Sequence, residues 1–166
     1  MRSDSASLRD LLSANPVLWA DLFTVTLADG SVHRWTTADV DVESRGSTWT
    51  AAGTGTAPAI EPGRARWALG LEVSTYDLTL LCGDGARVGG EFVTQAAADG
   101  AFYGASVLVE RAVFSAWDAE PEVLHWFEGN VSDCKPSSTR VALTVKSLLE
   151  RLSVKLPKRL FQRSEE

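Results

Sequence analysis

Leu22-Phe23-Thr24-Val25-Thr26-Leu27, then Asp29-Gly30, then Val32-His33-Arg34-Trp35: this stretch decides the fold class. Two runs of β-branched and large apolar residues flank an Asp-Gly pair. Such side chains fit a pleated, half-buried surface. Asp-Gly between two such runs predicts a hairpin, because a type I′ turn needs positive φ at both central residues. The pattern then repeats. Val40-Asp41-Val42-Glu43, Arg45-Gly46 and Thr48-Trp49-Thr50 predict a second hairpin. Residues 51–58 are Ala, Gly, Thr and Pro and read as a loop.

Working outward, residues 5–14 predict a short helix, with Ser7 as its cap, Asp10 three residues on, and Leu8, Leu11 and Leu12 on one apolar face. Asn15-Pro16 stops it. Downstream, Ile60-Glu61-Pro62 opens a short strand. Residues 71–81 form a longer one, in which Leu71, Val73 and Thr75 alternate with Glu72, Ser74 and Tyr76. Residues 90–99 suit a helix with Gly100 at its C-cap. Strands at 105–115, 122–131 and 139–147 read as a meander, broken at Asp118–Pro121 and at Asp133–Ser138. Glu110 and Arg111 inside the first of these predict a wet face or an ion pair across strands. Val145, Leu148, Leu149 and Leu152 have helical spacing, and Pro157 ends it. The sum is a mainly β fold of the α+β kind, a barrel or sandwich-like domain with a short N-terminal helix and one internal helix. Three segments follow: a helical arm at 1–16, a β-rich domain at 17–150 and a basic C-terminal segment at 151–166.

The chain has 166 residues, 45% of them hydrophobic and 23% charged, which is enough apolar surface for a buried core. No apolar run approaches the ~18 residues of a membrane helix. The polar start, Met1 to Ser5, and Arg9-Asp10 are unlike a signal peptide, so a cytoplasmic product and no membrane partner are expected. A net charge of -6 argues against non-specific nucleic-acid binding, which draws on Lys and Arg to neutralise phosphates, and no specific nucleic-acid partner is expected. Lys155, Lys158, Arg159 and Arg163 form a basic end on this acidic body, suited to an acidic partner surface or to solvent.

The search for chemistry yields no catalytic or metal set. Cys82 and Cys134 are far apart and read as buried free thiols. His33 and His125 have no Cys, Asp or Glu at ligand spacing beside them. Gly53-Thr54-Gly55 and Gly83-Asp84-Gly85 lack the Gly-Lys-Ser/Thr ending of a phosphate loop and are turns. Asp39, Asp41 and Glu43 alternate, so on one strand they would share a face; a solvated face is the plain reading, a calcium or acid–base site the sharper one. Six tryptophans suit either a core or a recognition surface. Trp35 and Trp49 follow the strand alternation and are core candidates, whereas Trp67, beside Arg64 and Arg66, is expected at an interface.

Ala20 to Gly30 with Trp35 to Val40, Gly70 to Leu80, Gly129 to Ser132, and Lys146 to Glu150 with Val154 to Pro157 form an ordered set of stretches. Together they resemble a phage tail family, the N-terminal domain of hub proteins of siphophage-like prophages and gene transfer agents, with relatives like the tail tip protein L of phage lambda. The resemblance runs from residue 5 to about 163. It implies a non-enzymatic β-barrel hub domain in the virion, at the tail tip or baseplate, linking the distal tail ring to the central spike or fibre. Implied partners are copies of itself, in a ring or trimer, the distal tail protein, and the central fibre or spike protein.

In long members of that family a Cys-rich segment resembling an iron–sulfur site follows. Its cysteines are absent here, so no cofactor is expected, and a separate Cys-rich tail protein is a further possible partner. Contact residues on this reading are Leu8, Leu11, Leu12, Trp67, Lys155, Lys158, Arg159 and Arg163. Two rival classes stay open. A small cell-wall-active enzyme would need a His or Cys with a positioned partner. A carbohydrate-binding module for host recognition would show an exposed linear row of Trp side chains.

Overall fold

The computed structural model describes residues 6–13, 17–67 and 73–149. A helix, α1 (Ala6–Ser13), leads into strands β1 (Leu18–Thr26) and β2 (Val32–Thr36). A small hairpin follows, β3 (Val42–Ser44) and β4 (Ser47–Trp49), and then β5 (Ala59–Arg66) and β6 (Thr75–Leu81). A second small hairpin, β7 (Arg87–Val88) and β8 (Glu91–Phe92), opens onto helix α2 (Val93–Ala98). The chain closes its described part with β9 (Ser106–Phe114), β10 (Glu122–Pro136) and β11 (Arg140–Ser147). Seven strands make one antiparallel sheet in the order β2-β1-β9-β10-β11-β6-β5, curled into a half-barrel.

The main core fills the concave face. Phe23 and Val25 of β1, Val107 and Val109 of β9, and Leu78 and Leu80 of β6 are buried there, with Val93, Ala96 and Ala97 of α2 and Phe102 packed into the curl. A second, smaller core lies on the convex face. Ala20 and Leu22 of β1 and Ala112 and Phe114 of β9 are covered by Val42 and Trp49 of the β3–β4 hairpin. β1 and β9 are thus buried on both faces, which is why the reading frame around Leu22 is apolar at consecutive positions and not only at alternate ones. Trp35 and Trp49, expected in the core, are buried, one in each cluster.

The turns refine the expectations. The β3–β4 turn has positive φ at both Arg45 (49°) and Gly46 (71°), the type I′ pattern. The β1–β2 turn does not. Only Gly30 has positive φ, Gly30 N–H donates to the Leu27 carbonyl and Leu27 N–H to the Ser31 carbonyl. That is a three-residue loop with a glycine bulge, one residue longer than the tight turn expected. Asp29 accepts from the Ser31 N–H and Oγ, and these bonds hold its carboxyl below the ordinary range.

Other differences have local causes. The helix expected from residue 90 begins at Val93, because Glu91 and Phe92 pair with Val88 and Arg87. Its end is as expected, with Ala101 N–H reaching back to the Ala96 carbonyl and Gly100 N–H to that of Ala97. In β6 the buried set is Tyr76, Leu78 and Leu80, the even positions, since Leu78 lies opposite Leu143 and Leu80 opposite Val141. β10 runs on through Asp133 to Pro136, past the expected break, because a bulge between Val131 and Asp133 lets it keep pairing with β11. Val145 belongs to β11 and is buried in the sheet, not in a helix; a helical turn starts only at Leu148. Ser7 lies inside α1, which starts one residue earlier. The expected boundary after residue 150, and the basic segment beyond it, lie outside the described residues.

Candidate interaction surfaces

Strand alternation puts Trp19 and Asp21 on the same face of β1 as Phe23, but nearer its start. Asp21 lies opposite Arg111 of β9. The Arg111 guanidinium donates to Asp21 from Nε (2.8 Å) and Nη2 (3.2 Å), a two-point clasp on a buried carboxylate. A bulge between His125 and Phe127 inserts Trp126 as an extra residue in β10. Arg111 then sits between two indoles, 4.3 Å from the ring of Trp19 and 4.5 Å from that of Trp126. Trp67, just past β5, meets Trp126 and Phe127 edge-on at 6.0 and 5.7 Å. Below them Tyr76 packs on Phe127, and burial pushes its hydroxyl up to about 12.

The result is a row, Trp19–Arg111–Trp126–Trp67, across one end of the half-barrel. Trp19 is 49% exposed and Trp67 58%. Trp and Arg in a packed surface cluster are the side chains that most often dominate protein interfaces. One face of Trp19 and one of Trp126 are already stacked on Arg111, so the row is not a flat stacking platform of the kind a sugar ring needs.

The convex face carries a second feature. Arg45, at the tip of the β3–β4 hairpin, donates from Nη1 (3.1 Å) and Nη2 (2.6 Å) to buried Glu110 of β9 and clamps the hairpin onto the sheet. Between this hairpin and the loop after β9 runs a groove of about 690 Å³. Asp41, Glu43, Asp118 and Glu120 line it, with Ser44, Arg45 and Trp117. Glu110 and Arg111, expected on a wet face or in a cross-strand ion pair, therefore make two ion pairs on opposite faces of the sheet, and the Arg111 pair crosses strands.

The expected contact residues separate. Leu8 is buried within the chain's own fold, where α1 packs against β9, so it is not a free docking side chain. Leu11 is half-buried, and Leu12 is 51% exposed. Trp67 is exposed, in the row just described. Lys155, Lys158, Arg159 and Arg163 lie outside the described residues. Asp39, Asp41 and Glu43 are exposed, but β3 contains only Glu43, so they are not one ladder along a strand. Among the described residues no three His, Cys, Asp or Glu side chains converge as metal ligands.

His33 stacks on Trp35, and burial lowers its pKa. Ser31 Oγ is 3.4 Å from its Nε2 but gives its proton to Asp29, which makes this a turn and not a nucleophile with its base. His125 pairs with Glu128 at 3.6 Å on the surface. Cys82 and Cys134 are free and half-buried, not fully buried, and burial raises both thiols. Sequence reading missed the roles of Trp19, Asp21 and Trp126. Alternation alone would have put Trp19 and Asp21 on one face; their Arg111 partner is 90 positions from Asp21.

Comparison with curated proteins finds no match. A solved chain from a "Virion of native gene transfer agent (GTA) particle" has a similar fold, with a TM-score of 0.69 and 19% identity over 95% of this chain. This chain spans 49% of that one, about half its length. A family model described as "Baseplate hub protein, N-terminal attachment domain" matches residues 5–164. With nearly the whole sequence matched, the chain belongs to the family of baseplate hub protein N-terminal attachment domains.

Proposed function

We propose that this β half-barrel is a structural attachment domain of a phage tail hub, working by side-chain contact with neighbouring tail proteins. The observation that carries the reading is the family match across residues 5–164, together with an exposed Trp–Arg row of interface character. The neighbours that fit are the distal tail ring on one side and the central fibre or spike on the other, with copies of the chain around the channel. Leu12 and Trp67 on the described surface, and Lys155, Lys158, Arg159 and Arg163 by their charge, are the residues we assign to those contacts. We assign no iron–sulfur cluster to residues 1–166 themselves, because their two cysteines, Cys82 and Cys134, are too few to hold one.

Electron cryo-microscopy of purified tails tests this reading. Density for the chain in a closed ring between tube and fibre is the expected result and gives the copy number. Particles that lack the chain would sink it. The Trp19 and Trp126 faces stacked on Arg111 argue against a glycan-binding role; measurable glycan binding by the isolated chain, lost on Trp67→Ala, would reverse that judgement.

A further inference from the structure

The β3–β4 hairpin is fastened to the sheet in two unlike ways. At its base the ties are backbone. Thr36 N–H donates to the Thr50 carbonyl (3.0 Å), Thr50 N–H to that of Arg34 (3.1 Å), and Ala52 N–H to that of Ala38 (3.1 Å). Ala51 N–H adds a bond to Asp41 Oδ1. Between residues 42 and 49, by contrast, the two bonds from Arg45 to Glu110 are the only hydrogen bonds from hairpin to sheet among the described residues. Arg45 is also the one described non-glycine residue with positive φ. A type I′ turn favours Asn, Asp or Gly at that position, so an arginine there works against the turn and is explained by its reach to Glu110. The underside of the hairpin is less complete than its tip. Ser44 Oγ and Trp49 Nε1 lie on the sheet-facing side, each residue is 3% exposed, and neither atom has a hydrogen-bond partner among the described residues. A buried polar atom without a partner is costly, and contact with water removes that cost. The buried Glu110 carboxylate accepts from Arg45 alone among the described residues.

We propose that the β3–β4 hairpin is a hinged flap, latched at its tip by Arg45 on Glu110, that swings as a unit about residues 50–52 and uncovers the convex face of β1 and β9. Opening exposes Leu22, Ala112 and Phe114 beneath Val42 and Trp49, and this keeps the closed form in the majority. It also hydrates Ser44 Oγ, Trp49 Nε1 and the Glu110 carboxylate, which makes opening less costly than lifting a fully satisfied interface. The ladder of the hairpin survives, because the Val42–Trp49 and Ser44–Ser47 pairs lie within the flap. The seven-stranded sheet survives too, since β1 and β9 pair with each other and with β2 and β10, not with the hairpin. The open form is a minor population inside the native state, so denaturant unfolding remains one transition. The flap stands on this geometry and does not depend on the hub reading.

Thiol labelling of the full chain tests it, on a background with Cys82→Ala and Cys134→Ala. Ala112→Cys and, separately, Ala20→Cys place a thiol beneath the flap. Val109→Cys places one on the same strand as Ala112 but in the main core. Ala112 and Val109 are 0% exposed and Ala20 is 1% exposed, so none reacts while the fold is closed. Under native conditions the two thiols beneath the flap should react about tenfold or more faster than that of Val109→Cys, which waits for global unfolding. Arg45→Asn removes the latch yet suits the turn better, so the hairpin itself stays folded. It strands the Glu110 charge and should speed both flap thiols by about tenfold again, with a much smaller effect on Val109→Cys. If the flap thiols react no faster than Val109→Cys, or if Arg45→Asn leaves them unchanged or speeds all three alike, the hairpin is a fixed part of the core and the inference falls. The hub reading is decided separately, by whether purified tails contain the chain.

Discussion

At the scale of single residues, the fold is held by charges that are buried and paired. Asp21 and Glu110 lie on opposite faces of the same sheet, each clasped by an arginine at two points. Removing one partner of such a pair strands the other. Asp21→Ala should therefore destabilise the chain by about 2–4 kcal/mol, discounted for the partial exposure of Arg111, as read from the denaturant midpoint. Tyr76 gives a pH signature. Its hydroxyl is raised from 10.0 to about 12 by burial first and by the Asp21 charge second. A raised acid keeps its proton in the fold after the unfolded chain has lost it, so its contribution is complete below pH 10 and is lost as pH rises towards about 12. Tyr76→Phe should abolish that part of the alkaline loss. An identical slope between pH 10 and 12 in both proteins would show that the hydroxyl is not its source.

At the scale of elements, close approach between strands sets the limits. Gly129 of β10 lies opposite Ser147 of β11, and a Cβ there would overlap the Lys146 carbonyl oxygen. The obstacle is backbone, which cannot swing aside as a side chain tip can. Gly129→Ala should cost about 3 kcal/mol, the upper end for overpacking, and should loosen the β10–β11 pair first, with amide exchange rising at Asn130 and Val145 before it rises in β1. Gly129 and Asn130 stood out in the sequence as part of a family resemblance; the physical demand on Gly129 is this contact. The β3–β4 hairpin illustrates the converse. Its turn was legible from Arg45-Gly46, but nothing near it says that the same Arg45 reaches Glu110, 65 positions on.

At the scale of the whole molecule, two cores share β1 and β9, so neither can melt without exposing strands of the other. Denaturant unfolding should be one transition, with tryptophan fluorescence and far-ultraviolet circular dichroism tracing the same curve. Trp35 reports on the main core and Trp49 on the smaller one, so two separated fluorescence steps would mean that the hairpin side unfolds alone. The Trp–Arg row and the acidic groove both adjoin β9, which sets an aromatic surface and an acidic one on the two faces of the same strand.

The sequence by itself determined the β class, the two early hairpins, the meander, the core placement of Trp35 and Trp49 and the exposure of Trp67. Each of these depends on residues a few positions apart: the period of two in a strand and the residues a turn demands. Only the tertiary structure decided the strand order that sets β9 between β1 and β10, and with it the Asp21–Arg111 and Arg45–Glu110 pairs, the Trp–Arg row and the groove. Those depend on register between strands far apart in the chain. One face of a strand becomes the core, and the opposite face of β1 and β9 becomes a second core, only once the sheet has curled and the β3–β4 hairpin has covered its outside.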